Sequence, residues 1–253
     1  MELPKKIVKS TSKNPRTMII YSQPKMGKTT ALAQLDDCLI LDIENGSEYV
    51  DALKINVKKE AKEQKKLPIV VLKNIMNKIK AANEEKDGYI YTRIALDTVS
   101  TLEEIAIPLA NKMYKNTPMG RNWEGKSVLT LPQGAGYYYL REALNSIIND
   151  LSELCETLIL LGHVKDKLVE REGKEMNERG ISLTGKTGPI LCAQVDAIAY
   201  FYRDEFEGRL NFKPSESLLS GTRIKHLRNK DILLSKYDPD KDTVTSNWTQ
   251  VFK

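Results

Sequence analysis

Lys28 and Thr29 close the stretch Ser22-Gln23-Pro24-Lys25-Met26-Gly27-Lys28-Thr29. These residue types at this spacing suit the capture of a polyphosphate. Backbone N–H groups in a tight turn, and the positive end of a following helix, point at phosphate oxygens. Lys28 would reach the β- and γ-phosphates as a point charge, and the Thr29 hydroxyl would ligate Mg²⁺. The flanks agree. Met18-Ile19-Ile20-Tyr21 precedes the turn as an apolar run, and Thr30-Ala31-Leu32-Ala33-Gln34-Leu35 follows it as a helix-prone one. Strand, turn, Gly-Lys-Thr and helix form the context of a Walker A phosphate-binding loop. One residue departs from the motif: Ser22 stands where the first glycine belongs, and serine resists the positive φ angles that glycine takes freely. The rival reading is a chance Gly-Lys-Thr in a surface loop. The expected ligands are ATP and Mg²⁺. No residue selects the purine, so GTP stays open.

Three further side chains follow apolar runs. Asp97 ends Arg93-Ile94-Ala95-Leu96, the position of a Walker B carboxylate that orders Mg²⁺ beside Thr29. Its alternative is the N-cap of a helix starting near Thr98 or Ser100. Glu44 follows Cys38–Ile43, where a carboxylate polarises the water that attacks the γ-phosphorus. Asn45-Gly46 marks a tight turn that would hold it there, and Asp42 is the rival base. His163 follows Thr157–Gly162, where a polar group would contact the γ-phosphate; a structural histidine is the alternative.

These residues need a frame. The chain has 253 residues, 41% hydrophobic and 29% charged, with a net charge of +5. This is an ordinary globular composition, compatible with a polyanionic partner. No apolar run approaches about eighteen residues, so no membrane span is expected. The N-terminus lacks the apolar core of a signal peptide, and the three distant cysteines, Cys38, Cys155 and Cys192, read as buried thiols of a reducing compartment. A cytoplasmic location is the expectation.

The expected fold class is α/β: a mostly parallel sheet flanked by helices, with a β-rich C-terminal extension. Strands are expected over 17–22, Cys38–Ile43, Ile69–Leu72, Arg93–Asp97 and Thr157–His163. Val195–Tyr202, Gly208–Phe212 and Gly221–Leu227 follow, ending at Trp248–Phe252. Ile75, Met76, Ile79 and Ala82 have helical spacing, Leu102–Tyr114 reads as a helix interrupted at Pro108, and Leu140–Leu154 is the cleanest amphipathic helix. Lys58–Lys66 reads as a charge-laced, solvated helix or loop. Long polar loops are expected at Lys115–Gly136 and Lys165–Gly188. An N-terminal arm over 1–16 precedes a single domain over 17–253. In such sheets ligands sit at the strand C-termini, where Ser22–Thr29, Glu44, Asp97 and His163 all fall.

The order of these parts resembles the RecA-like P-loop ATPase core, and most of all the small single-domain phage ATPases of the recombinase-paralogue or single-strand-annealing type. The matching segments are Tyr21–Thr30, Leu41–Gly46, Ile94–Ser100, Leu160–Val164 and Leu183–Ala199, the last including Thr184-Gly185-Lys186-Thr187-Gly188-Pro189. The resemblance implies that Glu44 is the catalytic glutamate and that His163 sits at the γ-phosphate sensor position. It also implies a filament or ring with ATP between subunits of a homo-oligomer. Arg223 and Lys225, alternating along a late strand, are similar to a pair that acts on the neighbour's γ-phosphate; charged guards of a solvated edge strand are the alternative. The two long loops are similar to DNA-binding loops. That makes Arg121, Trp123 and Lys126 in the first, and Lys167, Arg171 and Lys186 in the second, candidates for contact with single-stranded DNA. Tyr137-Tyr138-Tyr139 reads as helix-start packing. A single-strand-binding protein is a further expected partner.

The implied activity is a Mg²⁺-dependent, DNA-stimulated ATPase acting in recombination, annealing or replication. Two rivals remain: a P-loop kinase of a small molecule, with 165–188 as its lid, and a loader or scaffold that holds ATP as a slow switch.

Overall fold

The computed structural model describes residues 9–171 and 174–253, with Leu3 and Ile7; the side chains of Arg171 and Lys174 fall outside the description. Part of the expected arm over 1–16, and the Arg171 side chain, therefore lie outside the described residues.

Six strands run parallel. They are β1 (Thr17–Ser22), β2 (Cys38–Asp42), β3 (Lys54–Asn56), β4 (Arg93–Asp97), β5 (Thr157–Arg171) and β7 (Ala197–Asp204), in the spatial order β7-β1-β5-β4-β2-β3. Beyond β7 the sheet continues antiparallel through β8 (Glu207–Asn211), β10 (Asp231–Asp238) and β11 (Thr243–Ser246), while β6 (Lys174–Ile181) pairs with β5 and β9 (Gly221–Thr222) with β7. The fold is the expected class: a mostly parallel sheet with helices on its faces and antiparallel strands at the C-terminus.

The register places the chemistry. Ser22 lies opposite His163, Leu161 opposite Asp97, and Asp97 opposite Asp42. The ends of β1, β2 and β4 are thereby level along one edge, and β5, expected to end at His163, runs through it to Arg171. Burial on both faces explains the unbroken apolar runs. On one face Ile19, Tyr21, Leu39, Leu41, Ile94 and Leu96 pack under α2 (Val57–Glu63), α3 (Pro68–Lys86), α4 (Val99–Ile105), α5 (Ile107–Lys115), α6 (Ala135–Ser152) and α7 (Thr187–Gln194). On the other, Met18, Ile20, Ile40 and Ile159 pack under α1 (Lys28–Leu32) and the C-terminal Trp248, Val251 and Phe252. The Trp248 indole donates to the Ala31 carbonyl at 2.9 Å, tying the C-terminal turn to the helix after the phosphate loop. Cys38, Cys155 and Cys192 are free and buried. Among the described residues no helix is long and apolar enough to cross a membrane.

Four expectations are corrected. Ile69–Leu72 is the opening of α3, not a strand: Pro68 sits in its first turn, and Ile69, Leu72, Met76 and Ile79 are buried at three- and four-residue spacing. The helical period prevails over the β-branched composition. The polar loop 165–188 is mostly a hairpin in which β5 and β6 pair from Val164 with Ile181 to Arg171 with Lys174, followed by a turn and α7. The strand over 221–227 stops at Thr222, and Lys225–Leu227 forms a short 3-10 helix. The C-terminal end over 248–252 is a turn, whereas β10 and β11 are strands that the sequence reading leaves unassigned.

Candidate active site

The phosphate loop joins β1 to α1. Gly27 takes φ 95° at the helix N-cap, a left-handed angle suited to glycine, and Lys25 takes φ 62°. Ser22 is not among the residues with positive φ, so the backbone there makes no demand for glycine. Its buried hydroxyl donates to the Gln23 carbonyl at 2.7 Å and accepts from Lys28 Nζ at 2.8 Å. Lys28 is 8% exposed, and its Nζ also donates to the Gln23 carbonyl at 3.3 Å. Burial lowers its pKa below the usual lysine value, against the opposing pull of Asp97 and Glu44.

Thr29 Oγ1 donates to Asp97 Oδ2 at 2.6 Å. Asp97 is 3% exposed, and burial pushes its pKa up to about 6, with the Thr29 hydrogen bond acting the other way and the charges of Asp42 and Glu44 adding to the rise. It is not the cap of α4. Thr98 fills that role, its hydroxyl accepting from Thr101 N. A buried carboxylate beside a hydroxyl, short of positive charge, is a hard-oxygen donor set that fits Mg²⁺, with phosphate and water oxygens to complete it.

Asp42 is fully buried and accepts from the backbone N–H of Glu44 (3.0 Å), Asn45 (2.7 Å), Gly46 (3.3 Å) and Ser47 (3.0 Å), and from Ser47 Oγ (2.5 Å). This removes it as the rival base: its oxygens shape the turn, and Asn45 takes φ 68° within it. The turn leaves the Glu44 side chain 37% exposed at the sheet edge. His163 Nε2 lies 2.9 Å from Glu44 Oε1 and 3.1 Å from Oε2. That hydrogen bond lowers the Glu44 pKa most; burial opposes it, and the charge of His163, a hydrogen bond with Thr98 and the charge of Lys28 assist. His163 Nδ1 is buried without a hydrogen-bond partner.

Lys28, Thr29, Asp97, Glu44 and His163 thus converge on one strand edge. Arg223 does not join them. Its guanidinium donates to the Ala193 carbonyl at 2.7 Å and the Gln194 carbonyl at 3.4 Å, at the C-terminal end of α7, and lies 3.6 Å from Asp196. Lys225 is exposed at the start of its 3-10 helix, so the expected strand alternation of the two cations does not hold.

Of the DNA candidates, Arg121, Lys126 and Lys186 are exposed and Lys167 is half-buried. Trp123 is half-buried and packs edge-on against Tyr114 at 5.3 Å, with Lys115 5.8 Å from its ring. Tyr139 packs on Tyr114 at 5.1 Å, as helix-start packing requires, whereas Tyr137 and Tyr138 are exposed.

Sequence reasoning misses Thr98 and the bonds behind it. Ser100 Oγ donates to the Ser182 carbonyl at 2.8 Å, Ser182 N donates to the His163 carbonyl at 2.8 Å, and buried Glu103 accepts from Thr184 N and Oγ1. The Thr98-x-x-Thr101 cap spacing is their one local signal.

A family model described as an AAA domain, AAA_24, matches residues 14–224. No curated protein matches the chain. Among solved structures, a KaiC-like protein, PH0186, from the hyperthermophilic archaeon Pyrococcus horikoshii OT3 is similar at 12% identity, over 91% of this chain and 88% of that one, with a TM-score of 0.41. A likeness of that size carries no functional inference.

Proposed function

The chain belongs to this AAA domain family and is a P-loop ATPase, and from that premise we propose that it is a Mg²⁺-dependent, RecA-like ATPase whose turnover responds to single-stranded DNA. The observation that carries the hydrolytic half is the meeting of two pairs at one edge of the sheet: Thr29 with Asp97, and Glu44 with His163.

Each side chain has a task. Lys28 leaves Ser22 and Gln23 for the β- and γ-phosphate oxygens, where its charge offsets the negative charge that grows on the leaving oxygen. Thr29 and Asp97 would hold Mg²⁺, which would supply charge neutralisation at the phosphates. Glu44 accepts the proton of the attacking water. His163 and Thr98 bond to it and aim it, and it stays ionised. His163 shares β5 with one arm of the hairpin, so a contact with γ-phosphate acts on the strand that carries the hairpin.

The DNA half draws on the exposed cations Arg121, Lys126 and Lys186 and on the resemblance to the phage recombinase-paralogue ATPases. Assembly as a homo-oligomer, with Arg223 and Lys225 turned toward a neighbour's nucleotide, belongs to the same reading. The kinase alternative needs several lid arginines, and residues 165–188 carry two, Arg171 and Arg179. The test is steady-state ATP hydrolysis with and without single-stranded DNA, for wild type and Lys28→Ala. A Lys28-dependent rate that rises with DNA supports the reading. A Lys28-dependent rate indifferent to DNA removes the DNA half.

A further inference from the structure

Beside the phosphate-loop strand lies a cavity of 440 Å³ that hydrolysis does not use, lined by Asn177, Arg179, Tyr200, Tyr202, Asn211 and Ser217 among others. Tyr200 and Tyr202 alternate on β7, so both rings stand on one face of the sheet. They are half-buried and nearly parallel, with centroids 6.2 Å apart and planes 10° from each other. The Arg179 guanidinium lies 5.6 Å above Tyr200 and donates to its hydroxyl at 3.3 Å. Two flat rings and a flat cation therefore form one column, edged by the amides of Asn177 and Asn211 and by serine hydroxyls.

Such a column matches a nucleobase on its face, and the amides match the hydrogen-bonding groups on its edge. The cation is available for phosphate. Its ion pair with Asp166, at 3.0 Å, has side chains 42% and 49% exposed, a setting in which the bond is weak and readily exchanged for a phosphate oxygen.

We propose that this cavity is a base-stacking site for single-stranded nucleic acid, with Tyr200 and Tyr202 as the platform and Arg179 as the phosphate contact. The site rests on the DNA reading above. It is also bonded to the catalytic edge. The hydroxyl of Tyr21, the residue before Ser22, lies 2.7 Å from the Leu219 carbonyl and 3.2 Å from that of Arg179. Asp166 stands on β5, the strand that carries His163.

The test measures binding of a fluorescent oligo-dT by wild type, Tyr202→Leu and Tyr202→Phe. The Tyr202 hydroxyl donates to Asp231 at 2.7 Å, so the phenylalanine variant loses that bond and keeps the ring. Tyr202→Phe is expected to bind as wild type does and Tyr202→Leu roughly ten-fold more weakly. Equal affinity of all three overturns the site. So does an equal loss in both variants, which assigns the effect to the Asp231 bond. Photocrosslinking of wild-type protein to a thiothymidine-containing strand checks the same point without a substitution: an adduct in the peptide carrying Tyr200 and Tyr202 is expected, and adducts confined to 115–136 overturn it. A wild type that does not bind oligo-dT removes the DNA reading and the site together; wild-type binding with an unchanged Tyr202→Leu removes the site alone.

Discussion

His163 holds Glu44 by both carboxylate oxygens, its Nε2 2.9 Å from one and 3.1 Å from the other. Glu44 lies just past the end of β2 and His163 within β5, far apart in sequence, and the contact lowers the pKa of Glu44 more than any other influence on it. The contact fixes the direction of the carboxylate at the mouth of the phosphate loop, while lowering its basicity.

His163→Ala removes that influence. The Glu44 pKa should rise toward the ordinary carboxylate range, so the acid limb of the pH–rate profile should move to higher pH. The sign for stability follows the same rule. A depressed folded-state pKa contributes stability that is present above the unfolded value and is lost as pH falls through the folded one. His163→Ala should therefore narrow the stability gained between acid and neutral pH. Profiles of kcat/KM and of urea unfolding against pH check both halves.

Asp97 behaves in the opposite sense. Its folded-state pKa, about 6, lies above its ordinary value of 3.8. The folded chain then binds the proton more tightly than the unfolded one, and stability falls as pH rises through this window. A shift of that size corresponds to about 3 kcal/mol lost by neutral pH. Asp97→Asn should raise the stability of the nucleotide-free protein near pH 8 by an amount of that order, with the gain vanishing near pH 4, while Mg²⁺-dependent hydrolysis collapses. Urea midpoints at the two pH values, beside an ATPase assay, make the check.

Asp42 offers a contrast between shaping and reacting. Its carboxylate accepts four backbone N–H groups and one hydroxyl. Asp42→Ala should cost about 3 kcal/mol in unfolding free energy and lower kcat by misplacing Glu44. If the turn did not depend on Asp42, stability would stay near that of wild type. Chemical denaturation together with kcat distinguishes these outcomes.

Ser22 is a lesser departure than the sequence suggests, because its φ is not positive. Ser22→Gly should retain ATP binding and most of the turnover. It should cost about 1–2 kcal/mol of stability, because the buried Lys28 ammonium loses the 2.8 Å bond to the serine hydroxyl. Nucleotide titration and thermal melting report the two effects.

Much of the site is legible from local pattern. Apolar runs ending at Tyr21, Ile43 and Leu96 mark strands buried on both faces, and whatever polar residue follows each falls on the sheet edge. The apolar spacing from Leu140 to Leu151 marks α6 for the same reason: a buried stripe leaves a period. The hairpin over 164–181 leaves none, because its residues alternate without a buried face and its hydrogen bonds are backbone ones. Ile69–Leu72 misleads because β-branched residues open a helix there. The Tyr21–Arg179 and Glu103–Thr184 contacts join residues 158 and 81 positions apart, a distance no local pattern encodes.

The most direct test of the account is Glu44→Gln, measured for ATP binding and for single-turnover hydrolysis. The substitution keeps the side-chain size and removes the basic oxygen. Bound ATP with turnover reduced roughly a hundred-fold or more is the predicted result. Turnover equal to wild type would contradict the assignment of Glu44 as the base, and with it the reading of the Glu44–His163 pair as the hydrolytic centre.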